Sequence, residues 1–161
     1  MFYCTTDGQY IQEGTQFVID GITYPPQWLN QSTPEQKTEL GLEEVVATNS
    51  PYNPVYYWTG EVLEEATLTY TGTAKDLVDI QKQAVAQVNQ TAYALLLPTD
   101  YVEARNLRNP DYKLDWMLWR DSIRATAKTY INAINATTDV DGVASIMSSI
   151  VWPNDPNTIT V

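Results

Sequence analysis

Residues 17–46 read FVIDGITYPPQWLNQSTPEQKTELGLEEVV and predict a β-hairpin, a short helix and a return to strand. The hairpin is indicated by Asp20 and Gly21, which stand between two β-rich triplets. An Asp-Gly pair in that setting is typical of a two-residue turn, because both turn residues need a positive φ. Pro25 and Pro26 then end the second strand, since proline has no N–H to donate to a sheet.

The short helix is predicted over residues 33–40. Thr33 is a suitable N-cap and Pro34 suits the first helical position, where an N–H would lack a partner anyway. Gly41 is placed to end the helix. Residues 42–47 then resume a strand-like run.

This stretch also resembles a segment of bacteriophage tail-fibre-associated proteins, especially those of cyanobacterial and other marine phages. The resemblance rests on Asp20-Gly21, Tyr24-Pro25, Trp28-Leu29, Ser32 to Glu35, Lys37, Leu40 to Leu42 and Glu44-Val45. It implies a phage structural protein, and the segment contains no residues that would form an active site.

Two further strands are predicted before residue 74. Residues 55–61 read VYYWTGE and are expected to form a strand that ends at Gly60. Residues 66–71 alternate small or apolar side chains with threonine, as a half-buried strand does, and Gly72 is expected to end that strand. Alternation would place Tyr56 and Trp58 on one face of the first strand and Tyr57 on the other. These three aromatic residues are the candidate recognition surface, with carbohydrate stacking, a subunit contact and plain core packing as the open alternatives.

From residue 74 the apolar period lengthens from two to about 3.5, which predicts helices. One helix runs to Pro98, with Leu77, Ile80, Ala84, Val88, Thr91 or Ala92, and Leu95 on its apolar face. Thr99 is expected to cap a short helix to Asn106. A third helix is expected over 112–135, with Trp116, Trp119, Ile123, Thr126 or Ala127, Tyr130 and Ile134 on its apolar face. Asp139 is expected to cap a fourth.

Together these elements predict an α+β protein. A β-rich docking module would occupy residues 1–73. An antiparallel helical hairpin, with the short fourth helix packed across it and a polar C-terminal tail, would occupy residues 74–161.

The second half also resembles the C-terminal helical regions of phage tail-fibre proteins. The matching residues are Leu95 to Tyr101, Trp119-Arg120, Arg124 and Trp152-Pro153. Tyr101 stands where tryptophan is more usual in those regions, and Trp119 where tyrosine is more usual.

The net charge of −11 is concentrated in the first half of the chain. Residues 1–73 hold ten acidic side chains and one basic one, whereas residues 74–161 hold ten and eight. An acidic surface repels nucleic acids and anionic lipids, so neither is expected as a partner. Eleven Tyr and five Trp against two Phe are typical of surfaces that contact other proteins, although small domains also use these residues in their cores. Trp116 and Trp119 join the interface candidates.

No catalytic residue, cofactor or metal ligand is predicted. The sequence has no histidine, which excludes Ser-His and Cys-His nucleophilic sites and zinc sites that need histidine. Cys4, the single cysteine, is expected near a loose terminus and cannot form an intramolecular disulfide. The acidic pairs Glu43-Glu44 and Glu64-Glu65 are expected on solvated surfaces. The sequence has no run of 18 apolar residues, so no membrane span is expected. It also has no N-terminal apolar region, so no signal peptide is expected.

These observations lead to one principal expectation about function. The chain is expected to be a non-enzymatic virion protein, part of or attached to a tail fibre or similar appendage, and present in the host cytoplasm during assembly. The alternative is a tail-fibre assembly chaperone that is absent from the mature particle. A homo-oligomer is expected to form through residues 74–161, because the acidic first half would repel its own copies. That half is expected to face either solvent or a basic patch on another virion protein.

Overall fold

The computed structural model describes residues 1–157 and has an α+β fold. It divides into two compact units, residues 1–73 (unit 1) and the residues from Ala74 onward (unit 2). The change of apolar period in the sequence lies at this division. The predicted polar tail continues to Val161, and its last four residues lie outside the described part of the chain.

Unit 1 begins with two small sheets. In the first sheet, β1 (Phe2–Cys4) lies between β2 (Tyr10–Ile11) and β5 (Leu42–Glu44), and both pairings are antiparallel. The second sheet is the predicted hairpin of β3 (Phe17–Ile19) and β4 (Ile22–Tyr24). Its turn residues Asp20 and Gly21 have φ angles of 51° and 77°, which confirms the reason for expecting an Asp-Gly turn there.

Two short helices follow the hairpin. The sequence did not predict α1 (Trp28–Gln31), whereas α2 (Pro34–Glu39) confirms the predicted helix. Thr33 accepts a hydrogen bond from the backbone N–H of Gln36 at 3.3 Å, and the Gln36 side chain accepts one from the backbone N–H of Thr33 at 2.9 Å. This reciprocal capping fixes the start of α2. Gly41, with a φ of 69°, follows its end as expected.

The core of unit 1 lies between these elements. Its buried side chains are Phe2, Cys4, Ile11, Phe17, Ile19, Leu29 and Leu42. Cys4 has no exposed surface, so the expectation of a loose N-terminus is wrong. The reason is that β1 is the central strand of its sheet, and pairing on both sides holds the first residues in place.

A third sheet follows this core in the chain. It has the order β6 (Val46–Ala47), β8 (Thr67–Ala74), β7 (Tyr57–Glu64), and β6 runs parallel to β8. The strand expected over 55–61 starts two residues later and continues through Gly60, and β8 likewise continues through Gly72. Neither glycine ends its strand.

Unit 2 is the predicted helical hairpin. Its helices are α3 (Leu77–Leu96), α4 (Asp100–Asn106), α5 (Leu114–Asn135) and α6 (Val140–Ser149), with a 3₁₀ turn at Leu97–Thr99. The long helices α3 and α5 are antiparallel, because Gln81 near the start of α3 donates to the carbonyl oxygen of Ile134 at the end of α5. α6 packs against both of them.

The buried faces of the long helices agree with the predicted apolar faces. On α3 these side chains are Ile80, Ala84, Val88 and Ala92, and on α5 they include Trp119, Ile123, Ala127 and Ile134. Asp139 caps α6 as expected, accepting a hydrogen bond from the N–H of Gly142 at 2.7 Å. Thr99 does not cap α4, because its hydroxyl donates to Leu96 instead. None of the described helices is long and apolar enough to cross a membrane.

Candidate functional site

The third sheet of unit 1 is not covered by a hydrophobic core. Of the described residues, none between Leu42 and Ile80 is buried, although this stretch contains all three strands of the sheet. Seven of the eight residues of β7 are exposed, including Val62 and Leu63. Since sheets are normally stabilised by burial of at least one face, this sheet is the clearest candidate for a surface that contacts another molecule.

The hydrogen bonds to β8 show which way its backbone groups point. The N–H of Val46 donates to the carbonyl oxygen of Ala66 at 3.0 Å, and the N–H of Thr48 donates to that of Leu68 at 3.0 Å. The Asn49 side chain continues this row, because its amide both donates to and accepts from the backbone of Tyr70 at 2.8 Å. The backbone N–H and C=O groups of the even-numbered residues of β8 therefore point toward β6, and those of the odd-numbered residues point toward β7.

The same alternation identifies the outward-facing groups of β7. A Cβ atom on Gly60 would lie 2.8 Å from the hydroxyl oxygen of Thr71, so these two residues are opposite each other. The backbone groups of Thr71 point toward β7. The backbone groups of Gly60 and the other even-numbered residues of β7 therefore bond to β8. The backbone groups of Thr59, Glu61 and Leu63 consequently point away from the sheet, along an edge where the described chain places no further strand.

One face of the sheet holds a cavity of about 380 Å³, between β7, β8 and the loop before β7. Tyr52 and Tyr57 pack together at its end, with ring centroids 4.9 Å apart. Tyr52 also lies over Gly72, where an added Cβ would come within 2.5 Å of the ring. The glycine is therefore required by the close approach of this ring, which positions the loop against the sheet.

The charged side chains of the third sheet and of the residues before it are acidic. Residues 38–74 contain six acidic side chains and no basic one. Two of the acids, Glu61 and Glu64, are exposed on β7, and Glu65 follows in the turn with a φ of 52°. Burial and then the negative charge of Glu65 raise the pKa of Tyr3 above its ordinary value of 10.0. Lys37 and Lys75 border this stretch, so its negative charge is offset only at its two ends.

The structure separates the three aromatic residues predicted as a recognition surface. Tyr56 lies in the turn before β7, where its N–H donates to the carbonyl oxygen of Asn53 at 3.1 Å. It therefore does not share a strand face with Trp58, and that part of the prediction is wrong. Tyr57 is half-buried against Tyr52, whereas the Trp58 side chain is 69% exposed on β7.

The two tryptophans predicted in unit 2 form an edge-to-face pair at 5.6 Å. Trp119 is only 8% exposed, and its indole N–H donates to the carbonyl oxygen of Pro153 at 3.0 Å. Its ring is therefore part of the core and is not an accessible contact. Trp116 is half-buried beneath the ammonium group of Lys113, which lies 5.5 Å from the ring centroid. A hydrogen bond to Tyr101 raises the pKa of Lys113, although burial opposes this shift.

A buried arginine holds the end of the helical hairpin together. Arg120 is 2% exposed and donates to the carbonyl oxygen of Leu96 at 2.7 Å and to the hydroxyl of Thr99 at 2.6 Å. It also donates to the carboxylates of Asp100 at 2.8 Å and Glu103 at 2.7 Å. These four bonds join α5 to the end of α3 and the start of α4.

The carboxylate of Glu103 is shared between two arginines. Hydrogen bonds from Arg120 and then Arg124 hold its pKa below the ordinary value of 4.5. Within the described chain, Arg120 Nε is the one buried side-chain nitrogen or oxygen that lacks a partner. This network connects helices through ion pairs and backbone acceptors, an arrangement that stabilises the fold and offers no reacting group.

An apolar groove of about 400 Å³ lies between α3 and α5. Its lining includes Ala92, Tyr93, Leu96, Ala127 and Ile131, with Arg124 and Lys128 also on its wall. The Tyr93 side chain is 63% exposed there. This groove is the second surface of the molecule on which a protein segment could be accommodated.

No group of His, Cys, Asp or Glu side chains in the described residues is arranged to hold a metal ion. No family model, curated protein or solved structure matches the chain. Sequence reasoning missed Asn49, Tyr52 and Arg120. Only Arg120 had a local signal, since it directly follows the apolar position of Trp119 on the helix.

Proposed function

We propose that the chain is a non-enzymatic structural protein of a phage virion, part of or attached to its tail fibres or a similar appendage. It acts through protein–protein contacts, and it is made in the host cytoplasm before it joins the particle. The phage assignment is supported by the resemblance of residues 20–45 and 95–153 to tail-fibre-associated proteins.

The single observation that carries the contact role is the uncovered third sheet. Three strands with no buried side chain gain little hydrophobic stabilisation to offset the entropy of ordering about thirty residues. A partner that covers one face or edge would supply the missing burial. The exposed apolar side chains on β7 are available for that contact.

Quantitative mass spectrometry of gradient-purified particles tests the structural role. We expect the chain in a fixed stoichiometric ratio to the fibre or tail proteins, retained after a high-salt wash. Its absence from particles, combined with its recovery bound to unassembled fibre subunits in lysates, would instead establish the assembly chaperone. Absence from both would refute both roles.

We also propose that the protein self-associates through unit 2, where the groove between α3 and α5 offers apolar surface. In the first half of the chain, like charges would oppose close packing of copies at distances below the Debye length of about 8 Å. Sedimentation velocity of the Tyr93→Arg variant tests this, because a third cation would join Arg124 and Lys128 beside the groove. We expect this variant to be monomeric and Gln83→Arg, at an exposed position outside the groove, to keep the oligomer.

A further inference from the structure

We propose that β7 is an acceptor strand, to whose free edge an extended, basic segment of another protein adds as the fourth strand of the third sheet. This inference rests on the proposed function, because it specifies how the structural protein binds a neighbour. The added segment would pair through its backbone with Thr59, Glu61 and Leu63, and its lysine or arginine side chains would face Glu61.

The geometry makes this edge suitable for strand addition. Three outward-facing residues at alternate positions present a ladder of donors and acceptors that repeats about every 7 Å. The start of the ladder is defined, since the N–H of Tyr57 is already bonded to the carbonyl oxygen of Asn53 at 3.0 Å. An incoming segment therefore needs about five residues to pair from Thr59 to Leu63.

The opposite edge of the same sheet is less accessible to a strand. There β6 has only two residues, and the Asn49 side chain completes the hydrogen bonds along β8. Pro51 follows two residues later and has no N–H to extend a ladder. The sheet thus has one short, terminated edge and one long, open edge, and β7 is the long one.

Charge decides which partner fits this open edge. Natural edge strands are usually protected by charged side chains, proline or a bulge, and the charged side chains of β7 are glutamates. If two copies paired antiparallel through the outward groups in the longest register, Glu61 would lie directly opposite Glu61. Like charges directly opposite each other are destabilising, so this edge disfavours a second copy and favours a cationic strand.

The partner segment can be specified further from the alternation of side chains. A residue opposite Glu61 has its side chain on the same face as that glutamate, which favours lysine or arginine there. The residues on either side of it project from the other face, beside Val62, whose side chain is 42% exposed. The expected segment therefore alternates basic residues with β-branched ones.

Hydrogen exchange of the isotope-labelled full chain tests the proposal. The probe is a seven-residue peptide that alternates lysine with valine or threonine. With free peptide at ten times its Kd, we expect exchange of the Thr59, Glu61 and Leu63 amides to slow about tenfold. The amides of Gly60 and Val62 already face β8 and exchange only when the sheet opens, so any slowing there reports stabilisation of the sheet and not the new ladder. A peptide of the same sequence with alternate backbone nitrogens methylated should not bind, because it cannot complete the ladder.

Two charge variants provide the matched comparison. Glu61→Lys should abolish binding of the lysine peptide and allow binding of a peptide with glutamate in place of lysine. Glu39→Lys, in α2, makes the same change in net charge outside the sheet. Like the unaltered protein, it should bind the lysine peptide and not the peptide with glutamate in place of lysine. Equal weakening by the two variants, or binding of the methylated peptide, would overturn strand addition.

Two further outcomes would also refute the proposal. One is unchanged exchange at the three edge amides in the presence of the lysine peptide. The other is a dimer in which those amides are protected without peptide, since β7 would then be occupied by a second copy. Neither of these two outcomes depends on mass spectrometry of purified particles. Strand addition can therefore be refuted while the virion role is supported, and the virion role can be refuted while strand addition is supported.

Discussion

Replacing Arg120 with methionine should destabilise unit 2 by about 3 kcal/mol. Methionine keeps much of the aliphatic packing of the side chain but removes all four of its hydrogen bonds. The carbonyl oxygen of Leu96 and the buried hydroxyl of Thr99 would each lose a donor. Both groups keep the hydrogen bond between them, in which the Thr99 hydroxyl donates to the carbonyl oxygen of Leu96 at 2.8 Å. Each therefore loses a charged donor without being left unsatisfied. Because a hydrogen bond to a charged group contributes roughly 1.5–3 kcal/mol, these two losses dominate the estimate.

The two carboxylates contribute less to this cost. The side chains of Asp100 and Glu103 are 58% and 44% exposed, so water replaces much of what the guanidinium provides. The substitution also removes the unpartnered Nε of Arg120, which already carries a desolvation penalty in the native protein. The expected loss therefore lies near the lower end of the roughly 3–5 kcal/mol typical of breaking a buried ion pair.

Urea unfolding followed by circular dichroism at 222 nm measures this change, because the long helices are in unit 2. The matched control is Arg124→Met, which removes a guanidinium from the same network at a position where the side chain is 42% exposed. We expect it to cost less than about 1 kcal/mol. If the two variants lose equal stability, or if Arg120→Met costs less than about 1 kcal/mol, the buried network does not stabilise the hairpin as the structure indicates.

Three further outcomes are expected. Because the pKa of Glu103 is lowered in the folded state, its contribution to stability is present above pH 4.5 and is lost as the pH falls through the folded-state pKa. Urea unfolding across this pH range should therefore show that acid lowers the free energy of unfolding less in Glu103→Gln than in the unaltered protein. Gly72→Ala should cost roughly 1–3 kcal/mol in local stability of the third sheet, measured by hydrogen exchange, and little when Tyr52 is already alanine. Asp139→Ala should lower the free energy of unfolding by about 1 kcal/mol, whereas Asp139→Asn, which keeps an acceptor for the N–H of Gly142, should cost much less.

The sequence predicts those elements whose cause is local. The Asp20-Gly21 turn, the capped α2 and the apolar faces of α3 and α5 all depend on residues within one or two turns of each other. Their existence and type follow from spacing alone.

The parts that sequence reasoning missed depend on distant residues. β1 has only three residues, and its place at the centre of a sheet depends on β5, which is about forty residues away. The burial of Arg120 likewise depends on acceptors at the end of α3 and in α4. Thr71 approaches Gly60 and Tyr52 approaches Gly72 so closely that little room is left for a side chain at either position, which spacing cannot reveal.

The residues of the uncovered sheet lack buried side chains, which has a consequence for how a partner would bind. Residues 2–42 and 80–143 contain all the buried side chains of the described chain, so global stability depends on them. The third sheet should open locally at a lower free energy, since few buried contacts oppose its opening. A strand added to β7 would oppose that opening by mass action, and part of its binding free energy would go into ordering the sheet. Substitutions that rigidify the sheet without touching the edge, such as those that strengthen the contact of Asn49 with Tyr70, should therefore tighten binding of the lysine peptide.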